Sequence, residues 1–374
     1  MNHSRRAAAA VAAVALLIVA CQPAAPATEG PATQGPATQA PATEAPPTGA
    51  TGECTVGVSW NNYQEERWAR WDEPAIQDAI AAAGGSYVSN DARSSAETQA
   101  SNVENLISQG ADVLIILAQD GTAILPSVES AISQGVPVIA YDRLIEAEDA
   151  LYITFDNVEV GRMQAREIFE RVPEGSYVII KGNAADANAD FLRAGYEDVI
   201  GDAVGAGDIE IVGETYTDNW DPAIAQSHME QFLTAANNEV DAVLSENDGM
   251  AGGVIAALEA QGLAGQVPVS GQDGDQAALN RVAMGTQTVD VWKDARELGT
   301  AAGEAAMQLC ENPDITAVSG TGTFESPGGN QLTSILLEPI PITQENLNVV
   351  LEAEWIDEAT LCQGVESGTV DVCP

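Results

Sequence analysis

The chain states one pattern twice, once between Asp112 and Asp142 and again between Asp241 and Asp273. Each copy is an apolar run that ends in Asp-Gly, a helix-like span closing on Gln-Gly, and a second short apolar run that ends in Asp. The first passes from Val-Leu-Ile-Ile-Leu through Asp120-Gly121 and Gln134-Gly135 to Val138-Ile-Ala-Tyr-Asp142, the second through Asp248-Gly249 and Gln261-Gly262 to Asp273. Short unbroken apolar runs suit strands buried on both faces, and parallel strands need a crossover of the intervening length. Each copy therefore predicts a βαβ unit, and two units predict two parallel-sheet lobes. In open α/β sheets ligands sit beyond the carboxyl ends of the strands, where Asp120, Asp142, Asp248 and Asp273 fall. A polar ligand held between two lobes follows as the first functional expectation.

The rest of the chain extends the alternation. Strands are expected at 54–60, 87–90, 151–156, 177–180, 209–217, 288–292 and 334–338, with helices at 65–83, 96–109, 157–172, 190–204 and 222–237 and one ending near Cys310. The fold class is α/β, two doubly wound lobes, with the chain crossing between them more than once. Completing both sheets with the late elements assigns 53–156 plus 290–333 to the first lobe and 157–289 plus 334–352 to the second. Residues 353–374 are read as a tail.

The start of the chain is an address rather than a fold. Arg5 and Arg6 precede an apolar stretch too short for a confident membrane span, and Ile18-Val19-Ala20-Cys21 closes it in the manner of a bacterial lipobox. Residues 1–20 read as a signal peptide, with Cys21 the acylated first residue of the mature protein. The span 21–52 repeats Pro-Ala-Thr with nothing able to seed a core, and reads as an extended tether. The expected location is the outer face of the cytoplasmic membrane.

Fourteen basic against 56 acidic side chains give a net charge of −42, and loss of Arg5 and Arg6 with the leader makes it −44. Such a surface repels phosphate backbones and excludes nucleic-acid partners. It also keeps an exported monomer soluble. Four cysteines remain after Cys21, and three pairings are open. Cys54 opens the first strand and Cys310 ends a helix expected to run antiparallel to it, while Cys362 and Cys373 bracket a short segment. That placement favours Cys54–Cys310 and Cys362–Cys373; the irregular spacing does not fit a zinc site.

Enzymatic chemistry lacks its usual parts. His3, in the leader, and His228, in a helix, are the only histidines, so no Ser-His-Asp or His-metal arrangement can be assembled. No phosphate-cradling glycine motif follows a strand, and carboxylate pairs that could hydrolyse glycosides are too common here to carry weight. Asp186, Asn188, Asp190 and Glu197 fit a calcium-loop count, but Phe191 stands where the turn needs glycine. No cofactor or metal is expected.

Scarce cations are more telling. Lys181 and Lys293 are the only lysines, Lys293 follows a strand beside Trp292, Arg67 opens the first long helix, and Arg143 follows Asp142 at a strand end. Planar Asp, Asn and Arg groups can engage vicinal hydroxyls, and an aromatic face can pack on the C–H side of a sugar ring. Trp220, within Asp218-Asn219-Trp220-Asp221, is the candidate platform. A neutral polyol or sugar suits this inventory.

From about Thr55 to Ile340 the chain resembles the D-xylose-binding proteins of bacterial ABC sugar importers, within the ribose- and galactose-binding class. The strings that carry the likeness are Glu66-Arg67-Trp68, Ala140-Tyr141-Asp142-Arg143, Phe155-Asp156-Asn157, Phe191-Leu192-Arg193-Ala194-Gly195, Leu233-Thr234-Ala235-Ala236-Asn237-Asn238, Gly271-Gln272-Asp273 and Gly285-Thr286-Gln287-Thr288. The resemblance implies a two-lobed binding protein with a three-segment hinge that closes on one sugar and delivers it to a membrane permease. Its implied sugar contacts are Arg67, Arg143, Asn188, Trp220, Asn247, Asp273 and Lys293, with Asp186 and Asp142 as lesser candidates. Arg67, Arg143 and Lys293 would come from the first lobe or its hinge and the others from the second. Asp294 and Ala295 after Lys293 depart from the family's proline-containing turn. The anchor, the acidity and the cysteines also depart from the soluble type, and fit a cell that must tether the protein. Two alternatives stand beside this reading: a receptor for ribose, galactose or a furanosyl signal feeding a sensor or chemoreceptor, and a surface glycosidase.

Overall fold

A computed structural model describes residues 53–373; the signal peptide, Cys21 and the tether lie outside them. From its start the chain runs β1 (Thr55–Trp60), α1 (Glu73–Ala82), β2 (Ser86–Asp91), α2 (Ala96–Ser108), β3 (Val113–Ile116), α3 (Leu125–Ser133), β4 (Val138–Tyr141) and β5 (Ala150–Phe155). It continues through α4 (Asn157–Phe169), β6 (Gly175–Lys181), α5 (Ala187–Ala206), β7 (Ile209–Tyr216), α6 (Pro222–Ala235), β8 (Ala242–Ser245), α7 (Asp248–Ala260), β9 (Ser270–Gln272), α8 (Gln276–Met284) and β10 (Val289–Trp292). Then follow α9 (Ala295–Glu311), β11 (Gly322–Glu325), β12 (Gln331–Leu337), β13 (Ile340–Ile342), α10 (Asn348–Glu352) and α11 (Glu358–Leu361).

The doubled pattern becomes two equivalent units in two different sheets. β3, α3 and β4 form a parallel pair with its crossover in the first sheet, ordered β11-β12-β5-β4-β3-β1-β2. In the second, β7-β6-β8 and β9-β10-β13 are joined by a parallel bridge from Val243 to Val269, inside the second copy of the pattern. All four residues of β3, β4 and β8 are buried, as expected of strands covered on both faces. Apolar clusters lie on both sides of each sheet; the Cys54–Cys310 disulfide packs against the first-lobe core and Cys362–Cys373 against a second-lobe cluster. Gly52–Pro374 is one compact unit that contains its own cores. Among the described residues no helix is long and apolar enough to cross a membrane.

The chain passes between lobes at three places: β5 to α4, β10 to α9, and β12 to β13. Asp156 caps α4 at the first crossing, accepting from the Glu159 N–H at 3.0 Å, and Asp294 caps α9 at the second, accepting from the Arg296 N–H at 3.0 Å. Side-chain caps satisfy donors that a helix leaves unpaired, so the chain changes lobe at defined points.

Three boundaries differ from the sequence reading. The late strand, expected in the second lobe, is β12 and pairs in parallel with β5 of the first sheet. β10, expected to start the return to the first lobe, pairs with β9 and β13 in the second. Both strands lie beside a crossing, and which sheet claims such a strand is set by long-range pairing that local pattern does not encode. The segment read as a tail is packed structure: Trp355, Ile356, Leu361, Val370 and Cys373 are buried in a cluster with Leu279, Val282 and Trp292 of the second lobe.

The expected helix at 65–83 also has an irregular start. Trp68–Asp72 is one π-helical turn, closed by the Glu73 N–H donating to the Trp68 carbonyl, before α1 begins. Such bulges recur at functional sites, and this one widens the turn so that Arg67 and Asp72, five residues apart, meet side by side.

Candidate functional site

A small cavity lies between the carboxyl ends of the two sheets, lined by Glu65, Arg67, Trp68, Asp142, Arg143, Asp186, Asn188, Trp220, Asn247, Gln272, Asp273 and Lys293. All nine side chains expected from the sequence meet there. Arg67 and Trp68 enter on the π-helical turn, Asp142 and Arg143 follow β4, and Lys293 stands on the β10–α9 crossing. Asp186 and Asn188 sit at the start of α5, Trp220 follows β7, Asn247 caps α7, and Gln272 and Asp273 end β9. Asp142, expected from the second lobe, belongs to the first because β4 lies in the first sheet.

Arg67 is held by its own lobe. Its guanidinium grips Asp72 through Nη2 at 2.8 Å and Nε at 3.1 Å, and its carbon lies 4.4 Å from the Trp68 ring centre. Nη1 then reaches Asp142 at 3.2 Å and, across the cleft, Asp273 at 3.4 Å. A planar fork fixed by one bidentate carboxylate presents its remaining edge with little further ordering cost. Lys293 Nζ reaches the same Asp273 oxygen at 3.1 Å.

On the other side, Arg143 Nε forms an ion pair with Asp186 at 2.8 Å, while Nη2 donates to Glu65 at 3.2 Å and Nη1 to the Ala118 carbonyl at 3.2 Å. Asp186 caps α5, taking the Asn188 N–H at 3.0 Å, and accepts from Trp220 Nε1 at 3.2 Å. Asn188 donates to Asp142 and accepts from Asn157 at 3.0 Å. The segment that fits a calcium-loop count is therefore a helix start, which explains why Phe191 stands where a loop would need glycine.

Trp220, the candidate platform, faces the cavity and also packs in the second-lobe core. Room for its ring is made by Gly182, where an added Cβ would lie 2.2 Å from the indole. The backbone is strained locally: Asp142, Trp220 and Asp273 have φ of 60°, 55° and 105°. Non-glycine residues in this region persist where the surroundings over-determine them, most often at ligand sites.

Every cation inside the cavity already has a carboxylate partner. Three cations, Arg67, Arg143 and Lys293, face four carboxylates, Glu65, Asp142, Asp186 and Asp273. Burial opposes ionisation of Asp142, but Arg67, Lys293 and Arg143 outweigh it and hold its carboxyl below the usual range. Burial prevails at Asp186 and Glu65, whose carboxyls are pushed up although Arg143 lies between them. Gln272 Oε1 is buried without a hydrogen-bond partner among the described residues, and the Asn247 side chain spends only its oxygen, on the Met250 N–H at 2.9 Å. The cavity thus offers unspent amide groups and paired cations, a lining for a neutral polar molecule with several hydroxyls.

Glu65, Trp68 and Gln272 were not singled out from the sequence as contacts. Trp68 and Gln272 lie inside the quoted strings beside Arg67 and Asp273, so adjacency to a strand end or helix start was the available signal. Two strand-end aspartates do not reach the cavity: Asp120 holds its own turn through the Thr122 and Ala123 N–H groups, and Asp248 lies behind Asp273. Lys181 pairs with Asp190 and Glu214 and sits 3.5 Å from the Tyr216 ring centre, away from the cavity.

A family model described as the periplasmic binding protein domain matches residues 56–314. The D-xylose-binding periplasmic protein of Escherichia coli (strain K12) is 38% identical over 296 residues, covering 79% of this chain and 88% of its own. The D-xylose-binding periplasmic protein of Haemophilus influenzae is 36% identical over 294 residues, covering 78% and 87%. Among solved structures, a carbohydrate transporter solute-binding protein from Chloroflexus aurantiacus, in complex with D-glucose, aligns with a TM-score of 0.75 at 28% identity, over 83% of this chain and 98% of its own.

Proposed function

The chain belongs to the periplasmic binding protein family, and from that membership we propose that it is an extracytoplasmic receptor that captures D-xylose and delivers it to an ABC permease. It acts by binding and closure, not by catalysis. The observation that carries the sugar is the pairing inside the cavity: every cation already has a carboxylate partner, so an anion finds no free positive charge, while Asn247 and Gln272 keep amide groups available to hydroxyls. Arg67, Arg143, Asn188, Asn247, Asp273 and Lys293 supply polar contacts, with Asp142 and Asp186 orienting the two arginines. Trp220 and Trp68 supply ring faces for the C–H side of the sugar.

Closure follows from the side chains that cross the cleft. Sugar binds between lobes and shifts their equilibrium only through its greater affinity for the closed form. The closed form then presents a two-lobed surface to the permease. The leader and Cys21 support a lipid-anchored protein at the outer face of the cytoplasmic membrane, joined to its anchor by the tether.

A second reading, glucose, rests on the relative solved with that sugar. Glucose differs from xylose by a hydroxymethyl group at C5, so the two readings separate in one titration. Calorimetry of Gly52–Pro374 with xylose, glucose, ribose and galactose decides between them. Tight binding of xylose alone supports the proposal; equal binding of glucose removes the pentose assignment, and binding of none removes the sugar.

A further inference from the structure

Behind the loop that carries Asp273, two carboxyl groups are buried against each other, and neither lines the cavity. Asp248 opens α7 and Asp290 lies in β10, with residue exposures of 1% and 0%. The single N–H of Gly274 donates to Asp248 Oδ2 and to Asp290 Oδ1, both at 3.1 Å, so the two oxygens lie side by side. Asp248 is otherwise well supplied as a carboxylate. It accepts from the Asp275 N–H at 3.0 Å and from Gln287 Nε2 at 2.8 Å, at the positive end of a helix. Among the described residues Asp290 has no other donor, and its Oδ2 is buried without a partner.

Two carboxylates in contact cannot both ionise in such a site, and a buried oxygen without a donor is costly. One proton removes the second charge: held between Asp248 and Asp290, it turns a contact of two carboxylates into an O–H···O hydrogen bond. We propose that Asp248 and Asp290 share one proton and, through the Gly274 amide that both hold, act as positioning residues that fix Asp273 for the ligand. The proposal rests on reading the cavity as a sugar site.

The loop has no slack to take up their loss. Gly274 has φ of +84°, and an added Cβ would meet Trp292 at 2.4 Å. Its carbonyl accepts from Trp355 Nε1 at 2.6 Å. Asp273 is the next residue and carries the contacts to Arg67 and Lys293.

The groups around the pair are as follows. Asp273 and Asp275 lie on the loop, and Lys293 ends β10. Arg281 of α8 donates to the Asp248 carbonyl at 2.8 Å and to Gln287 at 3.0 Å. Glu66 faces Asp275 from the first lobe. The buried face of α4 and strand β13, which flank β10, bring no charged side chain. Burial pushes both carboxyls up, with Asp290 adding to the rise at Asp248, and Asp290 reaches about 8. The folded state therefore holds the proton more firmly than the unfolded chain. The stability it contributes is complete below the ordinary carboxylate range and is lost as pH rises through the folded value.

The test compares Gly52–Pro374 with its Asp290→Asn and Asp290→Ala variants. Calorimetric Kd for xylose, and Tm without sugar, are measured at about pH 5.5, 7 and 9. The expected result is a parent Kd that weakens about tenfold across that range, a flat Asp290→Asn profile because an amide keeps its hydrogens, and an Asp290→Ala protein that is weak throughout. A structural role alone would make the two variants alike. Parallel Kd profiles for parent and Asp290→Asn overturn the positioning role. Failure of the parent to bind any sugar overturns the proposed function instead, and the Tm arm still decides the shared proton: a fall in Tm with pH that Asp290→Asn abolishes supports it, and parallel Tm profiles overturn it.

Discussion

Replacing Asp273 with alanine isolates the contact on which both lobes converge. Its carboxylate takes Lys293 at 3.1 Å and Arg67 at 3.4 Å, but the two cations lose unequally. Arg67 keeps Asp72 at 2.8 Å and Asp142 at 3.2 Å. Lys293 has no other ion pair among the described residues, and its side chain is 3% exposed beside the Phe155 ring. Truncating one partner of a buried hydrogen-bonded charge pair costs about 2–5 kcal/mol, much of it the penalty of the charge left behind. The expected loss of xylose affinity is therefore at least about 30-fold. The assay is calorimetric titration of Gly52–Pro374, with Tm and far-UV dichroism to establish that the variant folds. The reasoning also predicts non-additivity: Lys293→Ala on top of Asp273→Ala removes the stranded charge and costs far less than it does alone. A folded Asp273→Ala protein that binds within about threefold of the parent would refute the assignment of this cavity.

The other expectations are as direct. Gly182→Ala, whose Cβ would fall 2.2 Å from the Trp220 indole, drives the ring into the cavity and abolishes binding while leaving the first lobe intact, read by titration and by tryptophan fluorescence. If the pocket takes a pentopyranose as proposed, the extra hydroxymethyl at C5 makes glucose bind far more weakly than xylose; competition calorimetry with comparable affinities would sink that claim. Phe324 of the first lobe meets Phe191 of the second edge-on at 5.7 Å between ring centres. Phe324→Ala, worth about 0.5–1.5 kcal/mol of closed-form stability, weakens xylose binding up to about tenfold without touching the cavity, and small-angle scattering shows a more open average. Removing Cys54–Cys310, which spans 256 residues, lowers stability more than removing Cys362–Cys373, which spans 11, about 5 against about 3 kcal/mol on the chain-entropy argument; denaturant midpoints that rank the other way refute it.

The doubled unit was legible because a strand buried on both faces needs an unbroken apolar run, and β3, β4 and β8 are such runs. The site was legible for a related reason. Strand ends and helix starts are where parallel α/β sheets gather polar groups, and Asp142, Asp186, Asn247 and Asp273 occupy those positions. What escaped was set by distance in sequence. β12 joins β5 across about 180 residues, and nothing in Gln331–Leu337 says which sheet will take it. The packing of Trp355 onto Gly274 looks, in sequence, like a tail. Glu65 escaped because one glutamate among 56 acidic residues carries no mark, and its importance comes only from Arg143 arriving from 78 residues away.

The two arginines divide the work of closure between them. Arg67 makes its shortest bonds to Asp72 in its own lobe and its longest to Asp273 across the cleft, so it is a fixed donor that the other lobe approaches. Arg143 makes its shortest contact, 2.8 Å, to Asp186 in the second lobe and longer ones within the first. Opening the cleft therefore costs Arg67 little and strands Arg143 beside a single carboxylate, Glu65, whose own charge is disfavoured by burial. Arg143 should then bias the equilibrium towards closure, while Arg67 mainly grips the ligand. The two roles separate in one comparison. Arg67→Met weakens sugar binding with the scattering profile of the sugar-free protein unchanged, whereas Arg143→Met weakens binding and shifts that profile to a more open form. Identical profiles for the two variants would remove the distinction.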